Sequence, residues 1–268
     1  MSTDDQQMNA ALEAKTLLLD RAVQKLPDVL EATITAYVGP IIDSTSQLRE
    51  DMDPGEYVLR PSMEEYEAFK GFIRRMNHRD DIKFQLVLPR GLKEVGEYAF
   101  YWCRSLASVT LPHGLKKVGV YAFYWCTSLT HITWPRELKE LGKCAFGGCT
   151  SLAVVNLPHG LKKVEENTFL GCKRLNSVTL PKGLQEVGWA AFSACRSLKS
   201  VTLPEGLEEV GDHAFGECDR LEIVYVPKNM VLDRKRLGIN PGVKITHRIS
   251  KRSHCESTMS NKRPCPSS

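Results

Sequence analysis

The stretch Ala99-Phe100-Tyr101-Trp102-Cys103-Arg104-Ser105-Leu106-Ala107-Ser108-Val109-Thr110-Leu111-Pro112-His113-Gly114-Leu115-Lys116-Lys117-Val118-Gly119 decides the fold. Val109 and Leu111 stand two apart with polar Ser108 and Thr110 beside them, the alternation of a half-buried strand. Pro112 ends it, because proline has no N–H to give to a ladder. A polar turn, His113-Gly114, leads to a second short apolar piece from Leu115 to Val118, and Gly119 suits a turn that needs positive φ. The next segment, Ala122-Phe123-Tyr124-Trp125-Cys126, is too short for a regular helix and reads as one helical or irregular turn.

This arrangement returns every 23 residues. An apolar residue followed by proline stands at Leu88-Pro89, Leu111-Pro112, Trp134-Pro135, Leu157-Pro158, Leu180-Pro181, Leu203-Pro204 and Val226-Pro227, bounding six complete units. Equal offsets hold Val95, Val118, Leu141, Val164, Val187 and Val210, then Phe100, Phe123, Phe146, Phe169, Phe192 and Phe215. Leu106, Leu129, Leu152, Leu175, Leu198 and Leu221 follow, then Val109, Ile132, Val155, Val178, Val201 and Val224. One unit has no means of burying its own apolar face. Stacked units share a core, with strands of adjacent coils paired in parallel at about 4.8 Å. The expected fold is a repeat solenoid: short parallel strands with short helical turns, a helical N-terminal region and a disordered basic C-terminal tail. Its divisions are 1–80 for the helical region and cap, 81–232 for the solenoid and 233–268 for the tail. Coils 1 to 6 are counted from Pro89, so coil 1 is 89–111 and coil 6 is 204–226.

The pattern Ala-Phe-x-x-Cys-x-x-Leu-x-x-Val-x-Leu-Pro-x-Gly-Leu-x-x-Val-Gly resembles the BspA-like class of leucine-rich repeats and covers half of the chain. The resemblance implies a leucine-rich-repeat stack and an adhesion, surface or interaction role, with the partner left open. Coil 3 departs with Glu137 for glycine, and Trp134 stands for leucine before its proline; coil 4 has Glu165 for glycine and Thr168 for alanine. These changes are expected to disturb turns locally and to leave the stack intact.

With the apolar positions committed to the core, outward strand positions form two columns. One reads Thr110, Thr133, Asn156, Thr179, Thr202, Tyr225, and the other Ser108, His131, Val154, Ser177, Ser200, Ile223. Threonine simply suits an exposed strand, or the face binds a partner. A second surface is aromatic: Tyr98, Tyr101, Trp102 and Tyr121, Tyr124, Trp125 in the first two coils, against Leu170-Gly171 and Gly216-Glu217 in the fourth and sixth. These rings either cover the first coil or form a hot spot, and the exposure of Trp102 and Trp125 separates the two. Candidate partner-binding residues are therefore the first column with His131, Tyr101, Trp102, Tyr124 and Trp125. A third column, Arg90, His113, Arg136, His159 and Lys182, reads as a solvated turn surface because acids are mixed in nearby.

Cys103, Cys126, Cys149, Cys172, Cys195 and Cys218 fall three residues after each phenylalanine. In-register coils place them in a line, whereas zinc needs four ligands at one point. The column reads as buried small side chains. Cys144, Cys255 and Cys265 lie outside it, the last two being the expected reactive thiols. No histidine has a nucleophile or carboxylate neighbour beyond what the repeat explains, and no glycine loop suits a phosphate. Catalysis, metal and cofactor are not expected.

The chain has 268 residues, 42 % of them hydrophobic, with net charge +4. Residues 233–268 hold nine Lys or Arg against two acids, so clusters such as Arg234-Lys235-Arg236 and Lys251-Arg252 suit polyanion contact or nuclear import. No apolar run is long enough to span a membrane, and Met1-Ser2-Thr3-Asp4-Asp5 lacks an export pattern, so cytoplasmic residence is expected. Helices are expected over 3–26 and from Ser62, with Glu65 as capping-box partner, to Met76. Leu26-Pro27-Asp28-Val29-Leu30-Glu31, continuing through Ile34 and Tyr37-Val38, resembles the opening of an F-box, which implies a ubiquitin-ligase substrate adaptor as the alternative role. The leading expectation is a non-catalytic scaffold that presents its repeat surface to a protein partner.

Overall fold

A computed structural model describes residues 40–49, 51–228 and 230–247. The expected helix over 3–26, the F-box-like segment and the thiols Cys255 and Cys265 lie outside them. Each coil passes through a main strand, a two-residue minor strand and a turn. Main strands Leu106–Thr110 and His131–Thr133 pair in parallel with Val109 opposite Ile132. Val154–Asn156 pairs likewise with Ser177–Thr179, and Ser200–Thr202 with Ile223–Val226. Each of these pairings joins residues one repeat apart, so like side chains pile up.

The phenylalanines show what that register does. Phe100, Phe123, Phe146, Phe169, Phe192 and Phe215 are buried and stacked in one column, with ring centroids 5.1, 5.1, 5.7, 5.4 and 5.9 Å apart in succession. Burying each ring contributes about 1.5–3 kcal/mol, and each stacked pair adds about 0.5–1.5 kcal/mol. The valines and leucines of the other offsets close around this column as one core.

The turn around each phenylalanine is irregular rather than helical. Tyr98 and Trp102, flanking Phe100, have φ of 53° and 60°, and the pairs Tyr121 and Trp125, Ala190 and Ala194, and His213 and Glu217 repeat this left-handed geometry. The alternation aims successive N–H groups at the next coil. The N–H groups of Tyr98, Phe100 and Trp102 donate to the carbonyls of Val120, Ala122 and Tyr124 at 3.0, 2.7 and 2.8 Å. Gly119 does not supply the positive φ expected of it; Tyr121 does, two residues later. Gly119 is small because a Cβ there would lie 2.7 Å from the backbone of Gly96 and Glu97.

The minor ladder stops between coils 3 and 4, where Glu140–Leu141 and Lys163–Val164 part, whereas the main sheet stops one coil earlier, between His131–Thr133 and Val154–Asn156. Gly142 donates its N–H to Val118 and Gly188 to Val164, but among the described residues no such bond runs from Glu165 to Leu141. Glu165 carries a Cβ where coils 2, 3, 5 and 6 have glycine at close approach. The turn ladder carries the stack across instead, through Cys144, Phe146 and Gly148 donating to Glu166, Thr168 and Leu170 at 2.9, 2.9 and 2.7 Å. The other departures are absorbed: buried Thr168 donates its hydroxyl to the Glu165 carbonyl at 2.7 Å, and Trp134 packs edge-on against Phe146.

The N-terminal cap is not simply helical. Strands Ile41–Ile42, Gly55–Leu59 and Ile82–Val87 extend the main sheet in parallel beyond coil 1, and one α-helix, Tyr66–Arg75, lies between them in sequence. The helix starts at Tyr66, later than Ser62, because the expected capping box is half formed. Ser62 Oγ accepts from the Glu65 N–H at 3.3 Å, while the Glu65 carboxylate accepts from the N–H and hydroxyl of Thr45, both at 2.9 Å. Those bonds hold its pKa below the usual range. Tyr66 against Phe100 and Phe72 against Phe84 close the first coil.

Disorder is expected from residue 233, but the described residues up to 247 are ordered against the last coil. Strand Lys244–His247 pairs with Ile223–Val226, and Leu237, Ile239 and Val243 are buried. The N–H groups of His213 and Phe215, which an uncovered last coil would leave open, donate to Arg236 and Leu237 at 2.8 and 3.3 Å. Basic composition hid this closing segment: Arg234 donates to the Val243 carbonyl at 2.7 Å, and Arg236 is bonded to Asp212.

Candidate interaction surface

The main-strand columns form a flat lane. Thr133, Asn156, Thr179 and Thr202 are exposed, as are His131, Ser177 and Ser200, while Thr110 and Tyr225 at its ends are half-buried. Thr179 donates to Asn156 across coils at 2.9 Å, and His131 Nδ1 lies 2.8 Å from Thr130 Oγ1. Val154, 48 % exposed, is an apolar spot in the middle of the lane.

The aromatic residues form a second surface on the turn side. Tyr98 stacks on Tyr121, Tyr101 on Tyr124 and Trp102 on Trp125, with centroids 5.1, 5.6 and 5.5 Å apart. Trp102 and Trp125 remain 40 % and 39 % exposed, and the Arg104 guanidinium sits 4.5 Å from the Trp102 ring. The cover of coil 1 comes from the N-terminal helix and strands, so the rings pack chiefly on one another. The terrace ends at Gly147 and Gly148, where a Cβ would meet the Tyr124 and Trp125 rings at 2.9 and 2.7 Å. Beyond it the same positions carry no aromatic ring, and a groove of about 480 Å³ opens, walled by Trp189 and including Asn167, Ser193 and His213. Sequence reasoning missed Trp189, whose offset in the other coils carries no aromatic.

The six ladder cysteines are buried and lie in a line, and they do more than fill space. The Sγ–H groups of Cys126, Cys149, Cys172, Cys195 and Cys218 donate to the carbonyls of Phe100, Phe123, Phe146, Phe169 and Phe192 in the preceding coil at 3.1–3.3 Å. Burial pushes the Cys172 thiol up to about 12. The signal was in the sequence, since cysteine is small, apolar and still able to donate. Among the described residues no three His, Cys, Asp or Glu side chains gather as a metal would need, and no helix is long and apolar enough to cross a membrane.

Parallel in-register strands, a leucine and phenylalanine core and short non-helical turns define a leucine-rich-repeat solenoid. The family model for the BspA type leucine rich repeat region matches residues 81–172 and 116–234 in six copies, and the chain belongs to that family. No curated protein matches it. A crystallised leucine rich repeat protein of T. pallidum is 31 % identical, with 60 % of this chain and 68 % of that one covered and a TM-score of 0.42. One from Bacteroides ovatus is 20 % identical, with 63 % and 55 % covered and a TM-score of 0.47, so the match spans about half of that protein. A leucine rich cell surface protein of Faecalibacterium prausnitzii is 16 % identical, with 79 % and 84 % covered and a TM-score of 0.31.

Proposed function

We propose that this chain is a non-catalytic interaction module whose main-strand lane engages a protein partner. The observation that carries the reading is the exposed, in-register column Thr133, Asn156, Thr179 and Thr202 beside His131, Ser177 and Ser200. The core is complete without these side chains. A rigid stack presenting a polar lane with an apolar spot at Val154 suits extended protein recognition, as in other solenoids. The test is affinity capture from native cells with wild-type protein and with the double variant Thr133→Arg, Thr179→Arg. Loss of a captured protein at unchanged melting temperature supports the lane as the binding face. Equal capture by both, or turnover of a metabolite by the purified chain, sinks it.

A further inference from the structure

Four cations of the stack pair with an acid of the neighbouring coil. Lys117 meets Glu94 at 2.8 Å, Lys143 meets Glu166 at 3.0 Å, Lys163 meets Glu186 at 2.9 Å and Arg196 meets Asp219 at 3.6 Å. Arg174, Lys199 and Arg220, from coils 4, 5 and 6, line a single groove of about 450 Å³ together with Ala153, Asn176 and Ser197. All three cations are exposed, and among the described residues none has an ion-pair partner. The nearest acids in sequence are otherwise placed: Asp219 pairs with Arg196, and Glu222 ends the Asn176 and Lys199 column at coil 6. The main sheet is also open here, since Ser177–Thr179 and Ser200–Thr202 belong to separate sheets. Like charges gathered in one groove repel, and the stack gains nothing visible from this arrangement.

We propose that the Arg174, Lys199 and Arg220 groove binds a carboxylate-rich peptide segment of a partner protein. Guanidinium groups from Arg174 and Arg220 match carboxylates in two-point fashion, and Lys199 adds a point charge between them. Asn176 and Ser197 supply neutral groups able to hydrogen-bond a peptide backbone. Coil spacing of about 4.8 Å sets a ladder of charges that an extended acidic strand follows. The groove lining has no aromatic side chain on which a nucleic-acid base would stack, and three cations are few for a phosphate backbone. The site stands apart from the strand lane: none of its six residues belongs to the two outward columns.

The experiment titrates full-length protein with a blocked hexaglutamate peptide, with hexaglutamine as the neutral control, against wild type and the triple variant Arg174→Ala, Lys199→Ala, Arg220→Ala. Both proteins carry the same C-terminal basic residues, so their difference isolates the groove. The expected result is saturable hexaglutamate binding that weakens at least about tenfold in the triple variant, with hexaglutamine inert. The free triple variant should melt at or above the wild-type temperature, because repulsion is relieved. Equal affinity of both proteins for hexaglutamate overturns the proposal. Heparin bound with the same dependence on these residues while hexaglutamate is ignored also overturns it. The variant Thr133→Arg, Thr179→Arg should retain peptide binding, so failure of the strand-lane reading and failure of this one are told apart.

Discussion

Gly142→Ala should unfold the protein well below its normal melting temperature. A Cβ at Gly142 would stand 2.5 Å from the Gly119 carbonyl carbon and the Val120 nitrogen, and 2.7 Å from the Gly119 oxygen. These are main-chain atoms, so no rotamer change relieves the clash. Coils 2 and 3 are locked together by the Gly142 N–H donating to Val118 at 2.8 Å and by Phe123 stacked on Phe146 at 5.1 Å. Overpacking costs about 1–3 kcal/mol in general, and a main-chain obstacle places this case near 3 kcal/mol. At about 2–4 °C per kcal/mol for a chain of this size, the melting temperature falls by about 6–12 °C. Gly171→Ala is the control: Gly171 has φ +70° and nothing within 4 Å of its virtual Cβ. Its cost is the left-handed penalty of about 1 kcal/mol, or about 2–4 °C. Thermal unfolding followed by circular dichroism measures both. If Gly142→Ala loses no more than Gly171→Ala, close approach is not what keeps glycine in this column.

Glu165→Gly should rejoin the minor ladder between coils 3 and 4, slowing hydrogen exchange of the amides at 162 and 165; unchanged exchange would place the cause of the break elsewhere. Burial holds the Cys172 thiol neutral up to about 12, whereas the unfolded thiol ionises near its ordinary value of 9.0. Stability should therefore be intact below about pH 9 and fall as pH rises toward about 12, since the unfolded state loses the proton first. Thermal melts across that window in wild type and Cys172→Ala should show a shallower fall in the variant; parallel curves would count against a buried neutral thiol. In the same vein, iodoacetamide at mildly alkaline pH should leave the six ladder thiols unmodified in native protein and label them after denaturation; rapid native labelling would contradict their burial.

The solenoid was legible because its signal was repeated. Phe100 and its five equivalents, and the leucines and valines beside them, recur at one interval, and a chain folded with that interval has to stack them. The ends were harder to read. Leu237, Ile239 and Val243 have no copy elsewhere and sit among Arg234, Lys235 and Arg236, so the closing segment looked like tail. In the cap, Ser62 and Glu65 do match a capping box, but the Glu65 carboxylate finds Thr45, twenty positions away in sequence. The outward columns were read correctly as strand positions, while the Trp189 groove and the cationic groove were missed.

Order along the chain was enough to assign the core of the six repeats and the outward columns, because equal spacing converts directly into stacking. Contacts between coils at unequal spacing were not accessible that way. Arg174 and Arg220 share one offset two repeats apart, but Lys199 stands in the neighbouring column with Ala153 and Asn176, and the two columns share a groove only once the coils are stacked. The left-handed turns, the thiol-to-carbonyl bonds and the break at Glu165 likewise depend on how closely one coil's backbone approaches the next, a distance that exists only in the folded stack.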